Sequence, residues 1–241
     1  MRAMLRQSLA RATLCPPTEP WRATSGSDFG FSVAILPYPA TVSEAPEIMY
    51  GRQVYFALPE LRIEPGDAVV DLGANRGLFS LLALSLGAQC AIAVETQGGF
   101  IPLIRQLLDR NGCADRALVE WCMVGAEAGA LADPATAEAA SHWQAGVPIR
   151  SMRELLHRSG IQRIDFLKMD IEGSEFDLLA NDNAWLRDVR RLAMEVHKDF
   201  GEPALVARIL AQAGFTVRLA RPDLHFVASP NSDVGYIYAF R

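Results

Sequence analysis

The sequence predicts an α/β fold: a doubly wound, mostly parallel sheet with an N-terminal extension. Three observations carry that expectation. Ala68-Val69-Val70-Asp71-Leu72 runs into a glycine-bearing turn, Gly73-Ala74-Asn75-Arg76-Gly77, and then into the apolar series Leu78 to Leu86. A second unit repeats the order, with Ala91-Ile92-Ala93-Val94-Glu95 followed by Ile101, Leu103, Ile104, Leu107 and Leu108. A third begins at Ile164-Asp165-Phe166-Leu167-Lys168-Met169-Asp170 and continues into Phe176, Leu178 and Leu179. Short continuous apolar runs fit strands buried on both faces, and the periodic runs after them fit helices packed on those strands.

Length and charge bound the function. The chain has 241 residues and a net charge of −5, so one large domain with an extension fits, and a general nucleic-acid binder does not, because no basic field exists to release counterions. Lys168 and Lys198 are the only lysines, which makes each worth explaining. Cys15, Cys90, Cys113 and Cys122 form no C-x-x-C pair, and no secretory leader is evident, so reduced thiols and a cytoplasmic location are expected. No apolar run approaches the length that spans a bilayer.

In chain order, residues 1–14 are Arg-rich and free of acids, as in an amphipathic first helix. Residues 15–46 are dense in Pro, Gly, Ser and Thr, with a short strand expected at Phe29–Leu36. The division drawn is an N-terminal extension over 1–64, which could cap a substrate pocket, and a ligand-binding domain over 65–241. Pro65-Gly66-Asp67 marks the turn into the first core strand, and Asn111-Gly112 ends the second helix. Ala117–Val124 reads as one strand, and the Ala-rich stretch 126–146, with His142 and Trp143, as a surface excursion. Ser151 with Glu154 three residues on is a capping box that opens another helix. Arg191–Val196 is a further strand closing on His197, Ala204–Ala213 a helix stopped by Gly214, and Thr216–Leu219 with Tyr236–Phe240 an antiparallel pair.

The glycine turn narrows the ligand. A dinucleotide fingerprint has a glycine where this turn does not, and Asp71 would meet a pyrophosphate with an anion. A carboxylate there suits a cationic ammonium, such as the methionine portion of S-adenosylmethionine (SAM). About twenty residues on, Glu95 is placed to accept from ribose hydroxyls. Backbone of the turn, through Gly73, Asn75 and Gly77, would hold the methionine portion, and Met123 and Val124 would flank the adenine, although core packing explains those two equally well.

A second cluster gathers Lys168, Asp170, Glu172, Glu175 and His197 at the carboxyl edge of the sheet. Alternation puts Lys168 and Asp170 on one face, about 7 Å apart at strand rise. His197 reads as a general base for an acceptor hydroxyl, with Asp170 at the methyl end and Glu172 or Lys168 assisting. Glu175 reads chiefly as a helix-start residue. A divalent cation held by Asp170, Glu172 and Glu195 is a less favoured arrangement, and the expected site has no metal.

Three segments, Val70-Asp71-Leu72-Gly73-Ala74-Asn75-Arg76-Gly77, Phe166-Leu167-Lys168-Met169-Asp170-Ile171-Glu172-Gly173-Ser174-Glu175 and Glu195-Val196-His197, resemble the signature segments of the FkbM family of SAM-dependent methyltransferases. The resemblance covers roughly residues 65–240 and is most specific in the middle segment. It implies a seven-stranded, Rossmann-like class I methyltransferase sheet, SAM as cofactor with S-adenosylhomocysteine as product, and methyl transfer to a hydroxyl of a sugar, polyketide or other secondary metabolite. Many relatives have Glu-Pro after the second core strand, where this chain has Glu95-Thr96. The alternatives are N- or carboxyl-methyl transfer on the same fold, a nicotinamide-dependent oxidoreductase and a non-catalytic SAM-fold partner protein. The partner expected is a small molecule rather than nucleic acid or membrane, and a homodimer is compatible with the sequence.

Overall fold

The computed structural model describes residues 54–125, 146–230 and 233–241. The expectations for the first helix, the Phe29–Leu36 strand, the cap and the 126–145 excursion fall outside these residues. Within them, the strands are β1 (Ala68–Leu72), β2 (Cys90–Glu95), β3 (Ala117–Trp121), β4 (Met123–Val124), β5 (Ile149–Arg150), β6 (Ile164–Met169), β7 (Val189–Glu195), β8 (Thr216–Ala220), β9 (Phe226–Val227) and β10 (Tyr236–Phe240). The helices are α1 (Leu78–Ser85), α2 (Ile101–Arg110), α3 (Met152–Ser159), α4 (Ser174–Asn181) and α5 (Pro203–Gln212).

The main sheet runs β3-β2-β1-β6-β7-β10-β8-β9. β3, β2, β1, β6 and β7 are parallel, and β10 is antiparallel to both β7 and β8. Two-residue β9 adds an eighth strand beyond the expected seven, at the outer edge of β8. The strand order reverses between β1 and β6, which opens a crevice at their carboxyl ends, where doubly wound sheets take ligands. The fold is a doubly wound, Rossmann-like α/β sheet.

Parity along β1 places its side chains. Val70 and Leu72 join one core cluster with Leu167, Met169 and Leu178; Val69 joins the other with Phe79, Phe166 and Tyr55. Helix α1 is apolar all round and every residue in it is buried, so it is an interior helix. The 3₁₀ turns Val54–Phe56 and Pro59–Leu61 bury Val54, Tyr55 and Leu61 in the second cluster, so this end of the extension is part of the core. Arg191 anchors the same segment from β7 through Asp67 at 2.8 Å and the carbonyl of Arg62.

One strand differs from expectation. The run 117–124 is broken at Cys122, because β2 ends at Glu95 and offers β3 no further partner. Cys122 N–H bonds to the Glu95 carbonyl at 3.2 Å, and the chain then turns to pair with residues 148–150, Met123 N–H reaching the Pro148 carbonyl at 2.8 Å. The capping box holds: Glu154 N–H donates to Ser151 Oγ at 3.2 Å, and Gly160 closes α3 at φ 72°. Cys90, Cys113 and Cys122 are free thiols. No helix among the described residues is long and apolar enough to cross a membrane.

The tips of β1 and β6 are fixed to each other. Asp170 N–H donates to the Leu72 carbonyl at 3.0 Å, while Gly73 and Ala74 N–H groups donate to the Val94 carbonyl at 3.0 and 2.9 Å. Gly73 has φ +75°, and a Cβ there would lie 1.7 Å from the Asp170 carbonyl oxygen. Gly73→Ala is therefore expected to destabilise the chain by roughly 2–5 kcal/mol, strain and overpacking together, in urea denaturation. An unchanged midpoint would mean that the two tips do not touch.

Candidate active site

The crevice is an open one, with ≈ 580 Å³ of space when its solvent-filled mouth is included. Gly73, Asn75, Glu95, Thr96, Met123, Val124, Asp170 and Glu172 line it, as their sequence positions led us to expect. Gln97, Cys122, Ile171 and Ser174 also line it and were not anticipated. They belong to loops, strand ends and a helix start whose facing no local pattern reveals. Gly77 contributes as the left-handed residue that starts α1, behind the lining.

Glu95 lines the crevice from the end of β2. Oε1 accepts from Gln97 N–H at 2.7 Å and from Thr96 Oγ1 at 3.3 Å, and Oε2 accepts from Asn75 N–H at 2.7 Å. Burial raises its pKa, partly offset by the N–H groups of Gln97 and Asn75. Each carboxylate oxygen has more than one lone pair, so acceptor capacity remains for a ligand diol. Thr96 in place of Pro leaves Glu95 in the lining.

Asp71 corrects the sequence reading. Its carboxylate is 0% exposed, lies on the opposite face of β1 from Leu72 and does not line the crevice. Ser80 Oγ on α1 donates to Oδ2 at 2.7 Å, and Lys168 Nζ stands 3.2 Å from Oδ1 as an ion pair. The pairing follows from register, since Asp71 and Lys168 are opposite each other on β1 and β6.

Lys168 is likewise a positioning group rather than a catalytic one. It is 2% exposed, and its ammonium donates to the carbonyls of Leu72 at 3.2 Å and Gly73 at 2.5 Å, with Asp170 Oδ2 3.8 Å away and the Tyr55 ring at 5.5 Å. Burial pulls its pKa down, but Asp71 and then Asp170 outweigh that and hold it above the ordinary value. A cation so held cannot serve as a base.

At the open end, Asp170 divides its oxygens. Oδ2 accepts from the Tyr55 hydroxyl at 3.1 Å, and Oδ1 lies 3.7 Å from His197 Nε2. Tyr55 stays a neutral phenol that donates to Asp170, because burial and then the Asp170 charge carry its pKa well above 10. No local pattern singles out Tyr55, which lies in a stretch of mixed periodicity. Glu172 Oε2 comes within 3.3 Å of the same imidazole nitrogen. Two backbone features bring it there: Glu172 itself is left-handed at φ 53°, and Gly173, at φ 97°, lets the Phe200 ring approach to where a Cβ would stand 2.3 Å from it. That contact draws the turn after β7, which carries His197, against the start of α4.

His197 is oriented from behind. Glu175 is fully buried, and its Oε1 accepts from both the His197 backbone N–H at 2.8 Å and Nδ1 at 3.0 Å, while Oε2 accepts from Gly173 N–H at 2.8 Å. Glu175 therefore does more than start a helix. Burial alone would lower the imidazole pKa, yet the Glu175 hydrogen bond and charge, with Asp170 and Glu172 beyond, carry it up to about 9. A pKa raised in this way favours the imidazolium at neutral pH, the form that donates from both ring nitrogens. Glu195 is pushed up to about 7 by burial, with Asp170 adding to it. Among the described residues, the group with converging metal-type ligand atoms is Asp170, Glu172 and His197, with His197 standing where the sequence suggested Glu195.

A reversal-point crevice lined by acids and bordered by an imidazole–carboxylate cluster lies where doubly wound sheets take nucleotide-like ligands. The model of the methyltransferase FkbM domain matches residues 71–217, and the chain belongs to that family of SAM-dependent methyltransferases. Among solved structures, it is similar to precorrin-6y C5,15-methyltransferase from Geobacter metallireducens, with 14% identity over 87% of this chain and 94% of that one and a TM-score of 0.49. A SAM dependent methyltransferase from Aquifex aeolicus is 16% identical over 85% of this chain and 98% of that one, with a TM-score of 0.45. No curated protein matches the sequence.

Proposed function

We propose that this chain transfers the methyl group of SAM to a hydroxyl of a small-molecule acceptor such as a sugar or polyketide. The observation that carries the reading is that the crevice and the His197 cluster share Asp170 and Glu172, so a ligand lying along the crevice ends where the cluster begins. The residues fit SAM: Met123 and Val124 for the adenine, Glu95 for the ribose, and Gly73, Asn75 and Asp170 for the methionine and methyl end. SAM supplies an electrophilic methyl carbon whose leaving group departs neutral, so the protein mainly positions the acceptor and manages one proton. His197, fixed by Glu175, orients the acceptor oxygen, and Asp170 and Glu172 are at hand for its proton. Three carboxylates near that end disfavour a carboxylate acceptor by like-charge repulsion.

Two measurements test this. Incubation with methyl-labelled SAM and a panel of hydroxyl compounds is expected to give a methyl ether that survives mild base. A base-labile ester or a methylamine would replace the hydroxyl reading by one of its alternatives. Glu95→Gln is expected to weaken S-adenosylhomocysteine binding about 10–100-fold by calorimetry, the loss of a charged hydrogen-bond acceptor. Unaltered affinity in the folded variant would remove Glu95 from the cofactor site.

A further inference from the structure

Imidazole Nε2 of His197 points into the gap between two carboxylate oxygens, at 3.7 Å from Asp170 Oδ1 and 3.3 Å from Glu172 Oε2, and the three ligand atoms all lie within 4.8 Å of one another. In octahedral coordination with bonds near 2.1 Å, neighbouring ligand atoms are about 3.0 Å apart, so the imidazole need close by well under 1 Å on each carboxylate, while the two carboxylates must draw together further, a movement open to the exposed Glu172 side chain. Two of the three ligands are held from behind. Fully buried Glu175 accepts from Nδ1, the support that metal-ligating imidazoles usually have, and Tyr55 engages the Asp170 oxygen that faces away. Glu172 is exposed and free to adjust.

We infer that Asp170, Glu172 and His197 form a facial site for a divalent cation, one whose remaining positions take neighbouring oxygens of the methyl acceptor. The assignment of those oxygens rests on the hydroxyl-methylation reading; the cation site itself does not. One nitrogen and two carboxylates suit a cation of intermediate hardness, Mn²⁺ above Mg²⁺, because imidazole adds little for the harder ion. Three protein ligands on one side leave open cis positions, the geometry a vicinal diol or hydroxy-ketone can chelate. Such a cation would neutralise the acidic end of the crevice and lower the pKa of a bound hydroxyl. An acceptor with two adjacent oxygens would then be preferred over a lone alcohol.

The full chain, stripped with chelator and saturated with S-adenosylhomocysteine, is titrated with Mn²⁺ and followed by electron paramagnetic resonance, with no acceptor present. One Mn²⁺ per chain is expected, with a nitrogen coupling in the pulsed spectrum from the His197 imidazole. His197→Gln should abolish that coupling, and Glu172→Gln, a conservative change at an exposed side chain, should weaken uptake at least about tenfold. No uptake at about 1 mM Mn²⁺, uptake without nitrogen coupling, or uptake indifferent to Glu172→Gln would leave an ion-paired cluster with adventitious cations only, and the inference would fail. Because the readout needs no turnover, it is independent of the product assay: Mn²⁺ bound beside a methylamine product would overturn the hydroxyl reading alone.

Discussion

Lys168→Met is expected to lower the free energy of unfolding by about 3–5 kcal/mol, the usual cost of stripping one partner from a buried ion pair. The methylenes would still fill their space, but Asp71, with no exposed surface, would keep only the Ser80 hydroxyl as a partner. The carbonyls of Leu72 and Gly73 would lose their donor at the same time, and with them the fixed spacing between the β1 tip and Asp170. A double variant, Lys168→Met with Asp71→Leu, should recover much of the loss, since no uncompensated charge remains. Urea unfolding of wild type, both single variants and the double one gives the coupling. A loss under about 1 kcal/mol for Lys168→Met would place the pair in the weak, solvent-screened class and refute its role.

The second large effect is on turnover. His197→Ala should reduce kcat about 10²-fold, the cost of a misplaced acceptor oxygen, while S-adenosylhomocysteine affinity stays within about twofold, because the imidazole serves the acceptor and not the crevice. Equal losses in both would make it a structural residue. Glu175→Gln tests the support behind it. In chelated wild-type protein the His197 imidazole should titrate by NMR near 9, and in the variant it should move back toward its ordinary 6.5. A folded-state pKa raised in this way stabilises the protein fully below the unfolded value and loses that contribution as pH rises through about 9. The stability difference between wild type and Glu175→Gln should accordingly shrink from pH 6.5 to 9 in metal-free buffer.

Much of this was legible in one dimension. Continuous apolar runs identified β1, β2 and β6 as interior strands, capping residues marked α3, and the turn glycines separated strand from helix. The acids that end or follow those strands had to share one sheet edge, because parallel strands present their carboxyl ends together. Glu95, Asp170 and Glu172 do line the crevice for that reason. The single strand expected over 117–124 failed because its partner, 148–150, lies across a long excursion that no local pattern connects to it.

The sequence by itself thus determined the doubly wound class, the edge on which chemistry would gather and the family segments that carry it, all of which depend on periodicity and local spacing. Only the tertiary structure decided what each charge does there. Strand parity turned Asp71 away from the ligand, register set Lys168 against it, and long-range packing brought Tyr55 to Asp170 and Glu175 behind His197. Those pairings depend on which surfaces meet across the sheet, and burial then fixes which groups stay charged, a property of the assembled interior that no stretch of chain holds alone.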